Sequence, residues 1–264
     1  MEARRILIKL GGGLITNKSK LCEVDEKSLE RCAEVISQLA NQGFHPVIVH
    51  GAGGFGHLVA KEYRLTEGEN EGVKGQKDAI LQIRKDMLQL NRLVCSSLIN
   101  QGLKVSSHPA HVWASGVGPD FSGTLVASDD LIQITFGDLV DCPAPKGFGI
   151  LSGDHLMERL SLFEGIEVVA FLVSGVDGIL THPPKDNEKP ELLRQWNINM
   201  AFDGHHQSAV DVTGGIGLKA ACGARIANSG IPVWIINGDK PQRLLELAQT
   251  GKTIGTQIIA TQSV

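Results

Sequence analysis

Lys9 is followed by Leu10-Gly11-Gly12-Gly13 at the end of the apolar run Ile6-Leu7-Ile8. Consecutive glycines let backbone N–H groups approach an anion closely, and the ammonium adds a full positive charge. Gly12 to Ser19 nearly fits the nucleotide-binding pattern G-x-x-x-x-G-K-[ST], but Asn17 stands at the second glycine position. A P-loop is therefore rejected, and Lys18 is kept as a second candidate phosphate contact. After a second apolar run, Pro46 to Val49, comes His50-Gly51-Ala52-Gly53-Gly54-Phe55-Gly56-His57. It reads as another anion cradle, with helix-opening amides and His57 around a phosphate. Ser152-Gly153-Asp154 precedes a helical stretch, where Asp154 is an N-cap or a functional carboxylate. Asp211-Val212-Thr213-Gly214-Gly215-Ile216-Gly217-Leu218-Lys219 opens another. A lysine so early opposes the helix dipole, a conflict that a bound anion resolves. Together these residues suit the binding and transfer of phosphate.

Other chemistries fit less well. Gly51, Gly53 and Gly56 satisfy G-x-G-x-x-G, but they do not follow the first strand, and the acidic residues about 20 positions on lie in Glu67-Gly68-Glu69-Asn70-Glu71-Gly72 rather than at a strand end. His108 with His111, and His205 with His206, lack companions at metal-ligand spacing, so no protein-held metal is expected. The five cysteines, Cys22, Cys32, Cys95, Cys142 and Cys222, are odd in number and scattered, which predicts buried free thiols. A net charge of −4 argues against nucleic acid or an anionic membrane as the main partner. No run approaches the roughly 20 apolar residues of a membrane span, and the chain opens without a secretory leader, so a cytoplasmic protein is expected.

The elements that must position these residues alternate. Ile6–Ile8, Pro46–Val49, Val168–Val173 and Pro232–Ile236 are short β-branched runs of the kind buried on both faces of a sheet. Between the first two, Leu29, Cys32, Ala33, Ile36, Leu39 and Ala40 recur at helical spacing, with Asp25 as N-cap and Gly43 past the end. Further helices are predicted over about 76–101, 154–163, 216–228 and 241–249. The expectation is an α/β fold, a three-layer αβα sandwich on a mainly parallel sheet. The segment 181–214, with Pro183-Pro184 and Asp186-Asn187 at its turns, reads as exposed loop or hairpin. With 264 residues and no dividing linker, a single domain is expected, its lobes meeting near Ser152 to Glu164.

On Lys9 with Gly11 to Ser19, Phe55-Gly56-His57, Ser152-Gly153-Asp154, Val176-Asp177-Gly178-Ile179 and Asp211 to Lys219, the chain resembles the amino acid kinase superfamily, and within it the isopentenyl phosphate kinases. The resemblance covers nearly the whole length and implies transfer of the γ-phosphoryl group of ATP, with Mg2+, to isopentenyl phosphate. It assigns Lys9 and Lys219 to the β- and γ-phosphates, Lys18 to the transferring group and Asp154 to holding the lysines in register. Nucleotide contacts are expected from Gly11, Gly12, Gly13, Gly53, Ser174, Asp177, Gly178 and Gly215. Acceptor contacts are expected from His57, the amides of Ala52, Gly53, Gly54 and Gly153, and an apolar slot of Ile80, Ile83 and Ile150. It also implies a homodimer, with an N-terminal acceptor lobe over about 1–163 and a nucleotide lobe over about 164–264. Ser174-Gly175 stands where the family usually has Thr-Asp, and Gly13 and Gly54 replace frequent serines. A kinase for another small phosphate or phosphonate such as fosfomycin, and a non-catalytic nucleotide-binding protein, are the competing readings.

Overall fold

The computed structural model describes residues 4–17, 19–182, 190–200 and 215–261. Lys18, Pro183-Pro184, Asp186-Asn187, His205-His206 and Asp211 to Gly214 lie outside the described residues. In chain order the first half runs β1 (Arg4–Leu10), α1 (Gly12–Ile15), α2 (Glu26–Asn41), β2 (Phe44–His50), α3 (His57–Glu62), α4 (Gln76–Asn100), β3 (Val105–Ser107), α5 (Ala110–Trp113) and β4 (Ile132–Phe136). The second half runs β5 (Asp138–Asp141), β6 (Phe148–Leu151), α6 (Gly153–Leu160), β7 (Ile166–Val173), β8 (Gln195–Trp196), α7 (Gly215–Asn228), β9 (Val233–Asn237), α8 (Gln242–Thr250) and β10 (Gly255–Ile258).

Among the described residues the central sheet has the order β3-β4-β2-β1-β7-β9-β10-β8. Its pairs are parallel except β10 with β9. Strand side chains alternate between faces, so Ile6, Ile8 and Leu10 of β1 pack with α1, α2, α4 and α8. Leu7 faces the other way, into a cluster with α5, α6 and α7. Helices on both faces make the αβα sandwich expected from the alternating runs. Lys9 shares the face of Leu7, which turns its buried side chain toward α6 and α7.

Local chemistry sets the helix ends. Asp25 accepts from Ser28 N at 3.0 Å and caps α2, a contact of about 1 kcal/mol. Gly43 follows with φ +85°, the left-handed stop that glycine adopts without strain. In α4 the buried stripe is Ile83, Met87, Leu90, Val94 and Leu98, and Ile80 is half-buried beside it.

Two expectations are corrected. Part of 181–214 is core: β8 pairs with β10, and Trp196 is 3% exposed, because the apolar Leu192, Leu193 and Trp196 close the sheet edge. All five cysteines are free thiols, but Cys22, Cys95 and Cys142 are half-buried rather than buried, lying at margins of the core. A separate two-stranded antiparallel ribbon, β5 with β6, stands beside the main sheet.

Candidate active site

The C-terminal ends of β1, β2 and β7 open into one cavity of about 310 Å³. Open α/β sheets bind ligands at this edge. Gly11, Gly12 and Gly13 line it from β1 into α1, and Gly51, Ala52, Gly56 and His57 line it from β2 into α3. The two turns cross in contact: a Cβ on Gly51 would lie 2.6 Å from Gly12 N, and one on Gly12 would overlap Gly53 N. Part of the glycine content therefore serves this crossing, while the first residues of α1 keep N–H groups without intrahelical acceptors.

Asp154 is the centre of charge. Ser152 caps α6, its Oγ accepting from Asp154 N at 3.2 Å, which leaves the Asp154 carboxylate free of the capping role. Its Oδ1 instead accepts from Lys9 Nζ and, at 3.0 Å, from Lys219 Nζ. All three residues are at least nine-tenths buried. Burial would raise the Asp154 pKa, but the Lys219 and Lys9 charges override it and hold the group at about 2. Burial lowers Lys9 to about 8, opposed by Asp154 and reinforced by Lys219. Lys219 Nζ also sits 5.3 Å from the Phe171 ring centroid, a favourable cation–π distance. It is the fifth residue of α7, one residue further in than the expected start at 216 implied, so the dipole conflict is slightly weaker than the sequence implies. At neutral pH the trio carries a net +1 in a confined space open to the cavity.

Away from this cluster the wall is apolar: Ala60, Ile83, Met87, Leu139 and Ile150 line it. Ser174, Val176, Gly178, Leu180, Gly215 and Ile216 line another part. Of the residues singled out in the sequence, Lys9, Gly11, Gly12, Gly13, Ala52, His57, Ile83, Ile150, Gly153, Asp154, Ser174, Gly178, Gly215 and Lys219 line this one cavity.

Four predicted contacts are not on the wall. Gly54 donates its N–H to Thr16 Oγ1 at 3.0 Å, so that amide is already used. Gly53, at φ +51°, packs against Thr16 and Gly12. Ile80 packs against the core. Asp177 turns to Arg243 Nη1 at 2.7 Å and Asn237 Nδ2 at 2.8 Å, and these hydrogen bonds hold its pKa at about 2. Sequence reasoning missed Met87 as lining, although it stands in the α4 stripe, and missed Gly137-Asp138-Leu139 altogether. A glycine between two apolar runs, followed by an acid, was the available signal.

Behind the turn, His50 is fully buried and stacks on Phe136 at 4.9 Å. Its Nδ1 faces Gly51 O at 3.2 Å and its Nε2 faces Asn91 Oδ1 at 3.2 Å. Burial pushes its pKa down to about 4, so the ring is neutral near pH 7.

This arrangement, buried lysines bridged by a carboxylate above glycine turns at the strand ends, defines an anion-binding site for phosphate-sized groups. A family model of the amino acid kinase family matches residues 4–237. The chain belongs to that family. Within it, an isopentenyl phosphate kinase of Methanothermobacter thermautotrophicus is 33% identical, covering 96% of this chain and 98% of its own. An isopentenyl phosphate kinase of Thermoplasma acidophilum is 30% identical, covering 96% and 99%. A solved structure of isopentenyl phosphate kinase superposes with a TM-score of 0.80 at 26% identity, covering 96% of this chain and 99% of that one.

Proposed function

We propose that this chain transfers the γ-phosphoryl group of ATP to isopentenyl phosphate, giving isopentenyl diphosphate and ADP. The observation that carries the reading is one cavity combining the Lys9–Asp154–Lys219 cluster with an apolar end of Ala60, Ile83, Met87 and Ile150. A small alkyl phosphate needs both.

An oxygen of the acceptor phosphate attacks the γ-phosphorus, the bond to the β,γ-bridging oxygen breaks, and ADP leaves with that electron pair. The acceptor phosphate is already ionised near neutral pH, so no strong base is required. Positioning and positive charge are what the protein must supply. Lys9 and Lys219 are assigned to the β- and γ-phosphates, with Lys18 on the transferring group. Asp154 keeps the two buried cations together at a fixed spacing, since alone they would repel. His57, with Ala52 and Gly153 amides, is assigned to the acceptor phosphate, and the apolar wall to the five-carbon tail. A ring N–H at position 57 donates to phosphate oxygens and adds charge when protonated. The nucleotide is assigned to the wall from Ser174 to Leu180 with Gly215.

Among the described residues no group of three or more His, Cys, Asp or Glu is placed to hold a metal ion. Mg2+ would enter with ATP and would supply charge neutralisation at its phosphates. No described helix is long and apolar enough to cross a membrane. A cytoplasmic homodimer belongs to the same proposal, as do an acceptor lobe over about 1–163 and a nucleotide lobe over about 164–264. The test is ADP release with MgATP and a panel of acceptors: isopentenyl phosphate should far exceed fosfomycin and inorganic phosphate. Fosfomycin as the better substrate would replace the acceptor assignment, and nucleotide binding without turnover of any acceptor would reject the kinase.

A further inference from the structure

The apolar end of the cavity is built in part on the β5–β6 ribbon, which stands outside the main sheet. Leu139 and Ile150 face each other across the β5–β6 ribbon, and β6 runs directly into Ser152-Gly153-Asp154. A two-stranded ribbon is marginal by itself and needs ties from its surroundings. Its first two residues are held from opposite sides. From α4, Arg84 Nε donates to Leu139 O at 3.0 Å. From α5, His111 meets the Asp138 carboxylate, Nδ1 to Oδ2 at 2.5 Å, and its backbone N–H donates to the same oxygen at 3.3 Å. Asp138 Oδ1 accepts from Leu139 N at 2.8 Å.

An ionised carboxylate only accepts, so the His111 nitrogen facing Asp138 carries the hydrogen. The Asp138 side chain has no solvent exposure, and a buried carboxylate without such a donor is costly. The neighbouring Gly137 is equally confined. Its N–H donates to His50 O at 3.2 Å, and a Cβ there would lie 2.8 Å from Gly153 N. A shift of Asp138 therefore moves both the phosphate-facing turn at Gly153 and the tail-facing Leu139.

We propose that His111 and Asp138 are positioning residues that set the acceptor wall, His111 acting through Asp138 on the start of β5. This rests on the acceptor assignment made above for the same cavity. The residues assigned to nucleotide lie on β1, the turn into α1, α7 and the turn after β7, and the hydrogen bonds given above for the pair go to none of them.

The test is steady-state kinetics of His111→Ala, His111→Asn and the parent, with amide hydrogen exchange of each. In His111→Ala the KM for isopentenyl phosphate should rise roughly tenfold or more, as for loss of a hydrogen bond to a charged group. The KM for MgATP should stay within about twofold of the parent's, a split that general destabilisation does not produce. His111→Asn offers a side-chain N–H near the position of Nδ1 and should restore most of the acceptor affinity. Exchange over 138–151 should quicken in His111→Ala, while β1 and β2 stay protected, and slow again in His111→Asn. Unchanged acceptor KM, or equal rises for both substrates, overturns the proposal. If His111→Ala does not fold, Asp138→Asn, which keeps shape and removes charge, carries the same expectations. A parent protein inert toward isopentenyl phosphate refutes the acceptor assignment instead, and the exchange pattern still decides whether His111 holds the ribbon.

Discussion

Replacing Asp154 by Asn tests the charge cluster because it removes one negative charge from between two buried cations. Unit charges about 4 Å apart at an effective dielectric near 20 interact by about 4 kcal/mol. At about 1.4 kcal/mol per tenfold, this is roughly a thousandfold in the protonation equilibrium of Lys9. Lys9 already sits at about 8 with Asp154 beside it, so the variant's Lys9 is neutral at pH 7.5. Shedding that proton leaves the trio at the same net +1 as the parent. Stability should therefore fall by less than the ~3–5 kcal/mol typical of breaking a buried pair. Activity has no such escape. Losing one charged donor to the transferring phosphate should lower kcat by about 10²–10³. Bound MgATP raises the Lys9 pKa in both proteins, but the difference between them survives. The parent's kcat should decline on the alkaline side of about pH 8, whereas the variant's should climb as pH is lowered from about 8 to 6. Stopped-time ADP assays across that range, with thermal unfolding as control, measure both. A variant with kcat within about threefold of the parent and the same alkaline limb would refute the electrostatic reasoning.

Other expectations concern separate parts of the site. His57→Ala should raise the acceptor KM and leave MgATP binding by calorimetry unchanged; equal acceptor kinetics would remove His57 from the phosphate seat. In Gly54→Ala the new Cβ would lie 2.6 Å from Asn17 O and overlap Lys20 O, so Tm should drop by roughly 2–10 °C. For the ligand-free protein, the Asp154 contribution is fully present above the ordinary carboxylate range and is lost as pH falls through about 2, visible as an acid unfolding limb. Lys9 gives a slope of the same sign at higher pH. Its folded-state pKa of about 8 lies below the ordinary 10.5, so the unfolded chain binds more protons between those values. The stability of the parent relative to Lys9→Met should then rise from pH 8 to 10.5 in urea titrations.

The parallel core was legible because its strands are continuous β-branched runs and its helices carry clean stripes with Asp25 and Gly43 at their ends. The elements that escaped are short or mixed. Ile132-Gln133-Ile134-Thr135-Phe136 buries Gln133 and Thr135 on its second face, which hides a central strand behind polar residues. Gln195–Trp196 is two residues long, and only its partner β10 makes it a strand. In the site, Lys9, Asp154 and Lys219 were legible from chemistry that local structure did not explain. Gly53 and Gly54 were assigned to ligand, yet they serve the packing of one turn on another, a contact between segments far apart in sequence. Asp177 was likewise absorbed by Arg243, 66 positions away. His111 was set aside as a metal candidate without its role being visible, because Asp138 lies 27 positions on.

Phosphorus NMR of the purified protein with MgATP and isopentenyl phosphate tests the central claim most directly. Isopentenyl phosphate and γ-phosphate signals should fall together at enzymic rates, while ADP and a new diphosphate pair grow in equal amounts. ATP binding with no new diphosphate, or ADP balanced by inorganic phosphate alone, would contradict it.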